Sequence, residues 1–502
     1  MNKKKSPKST KLLLLAPFLV LAVLLVACSA STVPPASEMA PTLQLEACEL
    51  TSPGGVTSGQ RARCGTLQVY EDRSSGTGRQ IDLHIAVIPA VSRSPAPDPL
   101  FILVGGPGEA ATESYSAIST AFTRINQQRD IVLVDQRGTG SSNPLECQAA
   151  EEDQVSIETD AAALQALVKH CLDEIEADPR FYTTSIAMDD LDEVRQVLGY
   201  GQINLYGVSY GTRAALVYMR QHPSSVRAAI LDGLAPPDWI LGPSAPADAQ
   251  RAVDLILQRC QSDAACNQAF PDIRASFESV MEAVREEPVE LSLPHPVSGE
   301  ITDFSLTYDF LANTIHGMTY APETAALLPL MIHTALSRND YTNLAAFGLT
   351  YVHSVSGAMS PGMRFSVICA EDVPLYEQES LGDGYLGDLI VETFSEICKT
   401  WPRGQVPPDF HEPVRSEIPV LLLSGEGDPV TPPANAELAA RNLPNSLHLV
   451  APGQGHANIF RGCIPSITTE FIESGSVKNL DTGCVQDLQP LPFFVNFSGP
   501  VP

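Results

Sequence analysis

Apolar residues follow two rhythms along this chain. In "TLQVYED" (66–72) and "QIDLHIAVIPA" (80–90) they alternate, with Ile81, Leu83, Ile85 and Val87 on one face, which predicts antiparallel, half-buried strands. In "PLFILVGG", "DIVLVDQRG", "INLYG" and "VRAAILDG" they run unbroken, as in parallel strands covered on both faces. Helical patterns near 112–127, 188–199 and 210–222 lie between these runs. Far downstream, "IPVLLLSGEGD" and "SLHLVAPGQGH" supply two more buried strands. Together they predict one α/β domain: a mostly parallel, eight-stranded sheet flanked by helices. After the sixth strand, 234–412 changes character. It is helical and loop-rich, opens on "LAPPDWILGPSAPADA", and reads as a large, mainly helical cap inserted between core segments 46–233 and 413–502.

The N-terminus is different again. Lys3, Lys4, Lys5, Lys8 and Lys11 precede an apolar run over 12–27 that contains Pro17. That run is short for a membrane span and suits a secretory signal over 1–27. Its end, Leu25-Val26-Ala27-Cys28, resembles a bacterial lipobox, in which Cys28 becomes the acylated first residue. The polar, proline-containing stretch that follows makes 28–45 a flexible tether. The expected address is a bacterial membrane, with the protein lipid-anchored and facing away from the cytoplasm.

Charge and cysteines agree with export. The chain has 31 Lys and Arg against 59 Asp and Glu, a net charge of −28, and loss of the leader removes lysines only. Such a surface repels nucleic acid and anionic membranes, so no nucleic acid is expected and the membrane is met only through the lipid. Of 11 cysteines, all but Cys28 fall into neighbouring couples: Cys48 with Cys64, Cys147 with Cys171, Cys260 with Cys266, Cys369 with Cys398 and Cys463 with Cys484. An even set in an exported chain predicts disulfides between these neighbours. Zinc-type ligand spacing is missing, and neither a metal nor another cofactor is expected.

Chemistry collects in loops that follow strands, where open α/β sheets bind ligands. In "INLYGVSYGTRAALVYM" (203–219) a strand turns sharply into a helix at Ser209, between Gly207 and Gly211, the setting of a strained nucleophile. Asp428 lies in "GEGDPVTP" and His456 in "GQGHAN", giving the order Ser, Asp, His. Ser209 would attack a carbonyl, His456 would take and return the proton, and Asp428 would orient the imidazole. The N–H of Tyr210, with that of Gly105 or Gly106 in "GGPGEA", would stabilise the oxyanion. Asp232 and Asp135 also follow strands, but only Asp428 lies between serine and histidine in the expected place. His316, His333 and His353 fall in the cap and read as surface or packing residues. Arg137, in "DQRGTGSS", reads as a buried ion-pair partner.

The motifs "GGPG", "DQRGTGSS", "GVSYGT", "GDPVTP" and "GH" resemble those of α/β-hydrolase-fold serine peptidases, the group of tripeptidyl aminopeptidases and proline iminopeptidases. Tyr210 after the serine favours the tripeptidyl type. The resemblance spans 99–233 and 413–462. Val104 stands where proline iminopeptidases have His before the glycines, which argues against a strict preference for N-terminal proline.

The resemblance implies an aminopeptidase that releases short N-terminal peptides or residues through an acyl-enzyme. Its substrates would be peptides with a free N-terminus, and the protein would act as a monomer. Gripping an α-ammonium calls for carboxylates, and Glu109, Glu371 and Asp372 are the candidates. A carboxylic-ester hydrolase with the same triad is the alternative, because a fold does not fix a substrate. A non-catalytic binding protein is disfavoured by the intact Ser209, Asp428 and His456.

Overall fold

The computed structural model describes residues 43–51, 59–147, 161–296, 298–379 and 381–500. The expected signal segment, Cys28 and the expected tether through residue 42 lie outside them. The described residues form eleven strands: β1 (Glu46–Leu50), β2 (Gln60–Tyr70), β3 (Gln80–Ile88), β4 (Leu100–Leu103), β5 (Ile131–Val134), β6 (Ile203–Val208), β7 (Val226–Asp232), β8 (Val289–Pro294), β9 (Ile301–Leu306), β10 (Val420–Gly425) and β11 (Ser446–Ala451).

Nine of them make one sheet in the order β1-β2-β3-β5-β4-β6-β7-β10-β11. The pairings β1–β2, β2–β3 and β3–β5 are antiparallel. Every pairing from β5 through β4, β6, β7 and β10 to β11 is parallel. Those six strands therefore end on one edge of the sheet, and the Ser209, Asp428 and His456 loops all leave from that edge. The unbroken apolar runs have the expected cause, since β4, β5 and β10 are buried at every position. One side of the sheet packs Phe101, Leu205 and Leu422 beneath the helix Tyr210–Gln221. The other packs Ile102, Leu133 and Leu423 against the helix Ile464–Ser474.

The sheet has one strand more than the eight expected, so the insertion follows the seventh strand rather than the sixth. The extra strand, β1, has the sequence "EACEL", with only Leu50 buried, and sits at the sheet's edge. Too few apolar positions mark it in the sequence. Pairing with β2 and the Cys48–Cys64 disulfide hold it in place.

Between β7 and β10 the chain is mainly helical but adds a hairpin, β8–β9. This segment has a core of its own, including Val253, Phe277, Leu311 and Ile332, while Leu43–Pro502 cluster as one compact unit. No described helix is long and apolar enough to cross a membrane.

The other four cysteine couples are also bonded, and each fastens a helix to a nearby part of the chain. Cys147 is joined to Cys171 of the helix Ala161–Glu174. Cys260 is joined to Cys266 across the turn between the helices Ala245–Ser262 and Ala264–Ala269. Cys369, in the helix Pro361–Glu371, is joined to Cys398, just past the helix Leu389–Ile397. Cys463 caps the helix Ile464–Ser474 and is joined to Cys484 in the short turn Gly483–Asp487. Cys171, Cys266 and Cys398 are buried, and Cys484 is half-buried.

Candidate active site

Ser209 stands between β6 and the helix Tyr210–Gln221 with φ 56° and ψ −126°. Non-glycine residues rarely adopt a positive φ, and here it turns the side chain out of the strand end. The flanking glycines are required by space. A Cβ on Gly207 would lie 2.4 Å from the Gly211 carbonyl oxygen, and one on Gly211 only 2.1 Å from that of Leu103. The Ser209 N–H donates to the Asp232 carbonyl at 2.9 Å, tying the turn to β7.

Asp428 is fully buried and accepts from the N–H groups of Val430 (2.9 Å) and Thr431 (2.8 Å) and from the Thr431 hydroxyl (2.8 Å). It also faces Nδ1 of His456 at 2.8 Å. An ionised carboxylate only accepts, so Nδ1 carries the proton and Nε2 is the basic nitrogen. Burial would raise the Asp428 pKa, but the His456 charge and hydrogen bond, with the backbone donors, hold it below the usual value. Burial would likewise lower His456, but Asp428 outweighs this and lifts it above its usual value. The pair is poised to store a proton on the imidazole.

Two further groups set the histidine. Its N–H donates to the carbonyl of Tyr320, a residue of the insertion, at 2.7 Å, and the two rings meet edge to face at 5.4 Å. The nearby residues Asn458 and Ile459 donate their N–H groups to Asp232 at 2.7–2.9 Å. Asp232 is thus an anchor for the histidine loop. Asp135 does comparable work under the glycine loop, accepting from Thr112 and from the Ser141 N–H. Arg137 is fully buried and bonded through two nitrogens to Asp190, as an ion-pair partner should be.

A cavity of about 120 Å³ opens over Ser209, lined by Gly106 and Pro107 of the glycine loop and by Trp239, His316, Tyr320 and Arg364 of the insertion. A Cβ on Gly105 would lie 3.3 Å from Ser209 Cβ and 3.4 Å from Glu109 Oε1, so the serine and this carboxylate flank the same residue. Gly105 donates its own N–H to Glu109 at 3.3 Å. Tyr210 opens its helix, where N–H groups have no intrahelical partner. The disulfides stand apart from this chemistry. Cys171, Cys266, Cys398, Cys484 and their partners hold helices in place, and none of them lines the cavity.

Glu371 and Asp372 are placed differently from what a substrate clamp needs. Both are buried and already engaged by protein donors. Asp372 receives two bonds from Arg213, at 2.9 and 3.0 Å, and the Leu241 N–H at 2.9 Å. Glu371 receives the N–H and hydroxyl of Thr184 at 2.7 and 2.9 Å. The Thr184 hydroxyl in turn meets that of Tyr210 at 2.7 Å. The cluster therefore ties the insertion to the helix that follows Ser209. Burial pushes Glu371 up to about 7 despite the nearby Arg213.

Comparisons with known proteins give the chain's relatives. Residues 98–287 match the family described as alpha/beta hydrolase fold, and 385–484 match the TAP-like protein family. Serine protease Hip1 of Mycobacterium tuberculosis is 25% identical over 481 residues, covering 86% of this chain and 88% of that protein. Tripeptidyl aminopeptidase of Streptomyces coelicolor is 23% identical, covering 86% of this chain and 84% of its own. Proline iminopeptidase of Neisseria gonorrhoeae is 29% identical over 144 residues, 28% of this chain and 34% of that one.

The chain has the α/β-hydrolase fold and is a serine hydrolase similar to peptidases of that fold. In this hydrolase the insertion supplies cavity residues that the sequence patterns did not mark as such, among them His316, expected there to be a surface or packing residue. His316 is buried, lines the cavity, and is pushed down by burial to about 4, so it is neutral in ordinary buffers. Tyr320 and Arg364 join it there. No motif surrounds these residues, and only the fold of the insertion brings them over the serine.

Proposed function

We propose that the hydrolase is an extracytoplasmic aminopeptidase in which Ser209, His456 and Asp428 act as nucleophile, general base and orienting acid. The observation that carries this reading is the Asp428–His456 pair, bonded to Thr431, which lines the same cavity as the positive-φ Ser209. Ser209 Oγ attacks the scissile carbonyl while His456 Nε2 accepts its proton. The imidazolium, stabilised by Asp428, then protonates the departing amine, and water releases the acyl group by the same route. The oxyanion is held by the N–H of Tyr210 with that of Gly106, because the Gly105 N–H is spent on Glu109.

The α-ammonium of the substrate pairs with Glu109. Of the three candidate carboxylates it is the one with no cationic side chain bonded to it, and burial raises its pKa against the Gly105 and Ser114 donors. A contact of this kind is lost on acetylation, at a typical cost of several kcal/mol. Peptides with a free N-terminus are expected to be cleaved at least about a hundredfold better than their acetylated forms. Glu109→Gln is expected to erase most of that ratio. Equal cleavage of blocked and free peptides defeats the aminopeptidase reading, and rapid hydrolysis of acyl esters alone favours an esterase.

Export rests on the leader, the lipobox-like Leu25-Val26-Ala27-Cys28 run and the five disulfides. The mature chain begins at an acylated Cys28 and partitions with membranes. Cys28→Ser is expected to release it or stop its processing, read by cell fractionation and N-terminal mass spectrometry. Unchanged membrane association of that variant refutes the anchor.

A further inference from the structure

Arg364 lies in the helix Pro361–Glu371 of the insertion and lines the same cavity as Ser209. Among the described residues no carboxylate comes within ion-pair distance of it, and its buried Nε has no hydrogen-bond partner. Its neighbours are the Phe394 ring, 5.3 Å from the guanidinium carbon, and the phenols of Tyr320, Tyr351 and Tyr376. Asp372, on the same cavity wall, is committed to Arg213. In a chain with 59 acids for 31 bases, a half-buried cation without an acid beside it is not explained by a shortage of acids. A guanidinium with a buried, unpartnered Nε is costly unless an anion completes it, and its planar donors suit a carboxylate. Of the other basic side chains on this wall, Arg213 is taken up by Asp372, and His316 is pushed down by burial to about 4, so neither competes for that anion.

We infer that Arg364 is a substrate-binding residue that receives a carboxylate of the substrate beside the scissile bond. This rests on the serine-hydrolase site proposed above and adds the chemistry it selects. The carboxylate has two sources: an acidic side chain near the cleaved bond, or the terminal carboxylate of a short peptide.

Three matched pairs test this. The first sets Ala-Ala-Glu and Ala-Glu-Ala p-nitroanilides against their Gln counterparts, which isolates a side chain. The second sets tetra-alanine against its C-terminal amide, which isolates a chain end. The third sets p-nitrophenyl hemisuccinate against its methyl ester and needs no peptidase activity, so it still reads Arg364 if the aminopeptidase reading fails. The wild type is expected to favour the carboxylate member of at least one pair by about tenfold or more, the scale of a charge-assisted contact. Arg364→Met should bring that ratio to near one, and Arg364→Lys should leave an intermediate ratio, because an ammonium cannot bind the carboxylate in bidentate fashion. Ratios are taken within each enzyme, so a general loss of activity cancels. Should Arg364→Met fail to melt cooperatively, Arg364→Lys and the wild-type ratios decide. Wild-type ratios near one in all three pairs, or a preference that survives in both variants, overturn the proposal.

Discussion

Ser209→Ala is expected to cut kcat/KM by about four to six orders of magnitude, the loss seen when a triad nucleophile is removed. Folding should be untouched, because the structure holds Ser209 by its backbone. Its N–H bonds to Asp232, its carbonyl accepts from Thr212, and alanine keeps both. A fluorophosphonate should label the wild type and not the variant, with thermal melts superimposed. Adding His456→Ala should cost little more than either change alone, since nucleophile and base act as one unit. Labelling that persists in the alanine protein would show that another residue is the nucleophile.

Asp428→Asn is expected to lower kcat/KM by about ten-thousandfold, as in serine proteases whose triad aspartate becomes an amide. The Asn side chain can turn an N–H toward Nδ1, which places the imidazole proton on Nε2 and removes the base. It also moves the pH limb, and the sign is fixed by the directions of the shifts. His456 works as a base only when neutral, and Asp428 raises its pKa above the ordinary 6.5. Wild-type kcat/KM should therefore rise with pH through a limb above 6.5. In Asp428→Asn the remaining influence is mainly burial, which lowers the histidine, so the limb of the residual activity should move to lower pH. Asp232, pushed up by burial to about 6, titrates in both proteins and does not account for a difference between them. Identical limbs in kcat/KM between about pH 5 and 9 would assign the titration to a group other than His456.

The candidate catalytic loops were legible because each is local. A buried strand, a glycine-bracketed serine and an Ala/Leu helix are contiguous in sequence, and the backbone clashes at Gly207 and Gly211 explain why those residues surround Ser209. The disulfide partners were legible for a related reason, since each couple closes a short loop, from 6 residues for Cys260 and Cys266 to 29 for Cys369 and Cys398. The strand β1 was not, because an exposed edge strand carries almost no apolar alternation.

Glu371 and Asp372 show where sequence reading stops. A carboxylate pair after a cysteine looks available for a ligand until the helix Tyr210–Gln221 brings Arg213 against it. Arg364 shows the converse: it looks like any surface arginine until the insertion folds it over Ser209 with no acid beside it.

By itself, then, the sequence determined what nearest neighbours along the chain can enforce: strand type, the strained serine turn, the order of serine, aspartate and histidine, and the cysteine couples. Tertiary structure decided which charges are neutralised and which are left to face the cavity. Whether a carboxylate or guanidinium is satisfied depends on groups more than a hundred residues away, such as Arg213 for Asp372, and burial makes that pairing matter energetically while leaving no periodic trace in sequence.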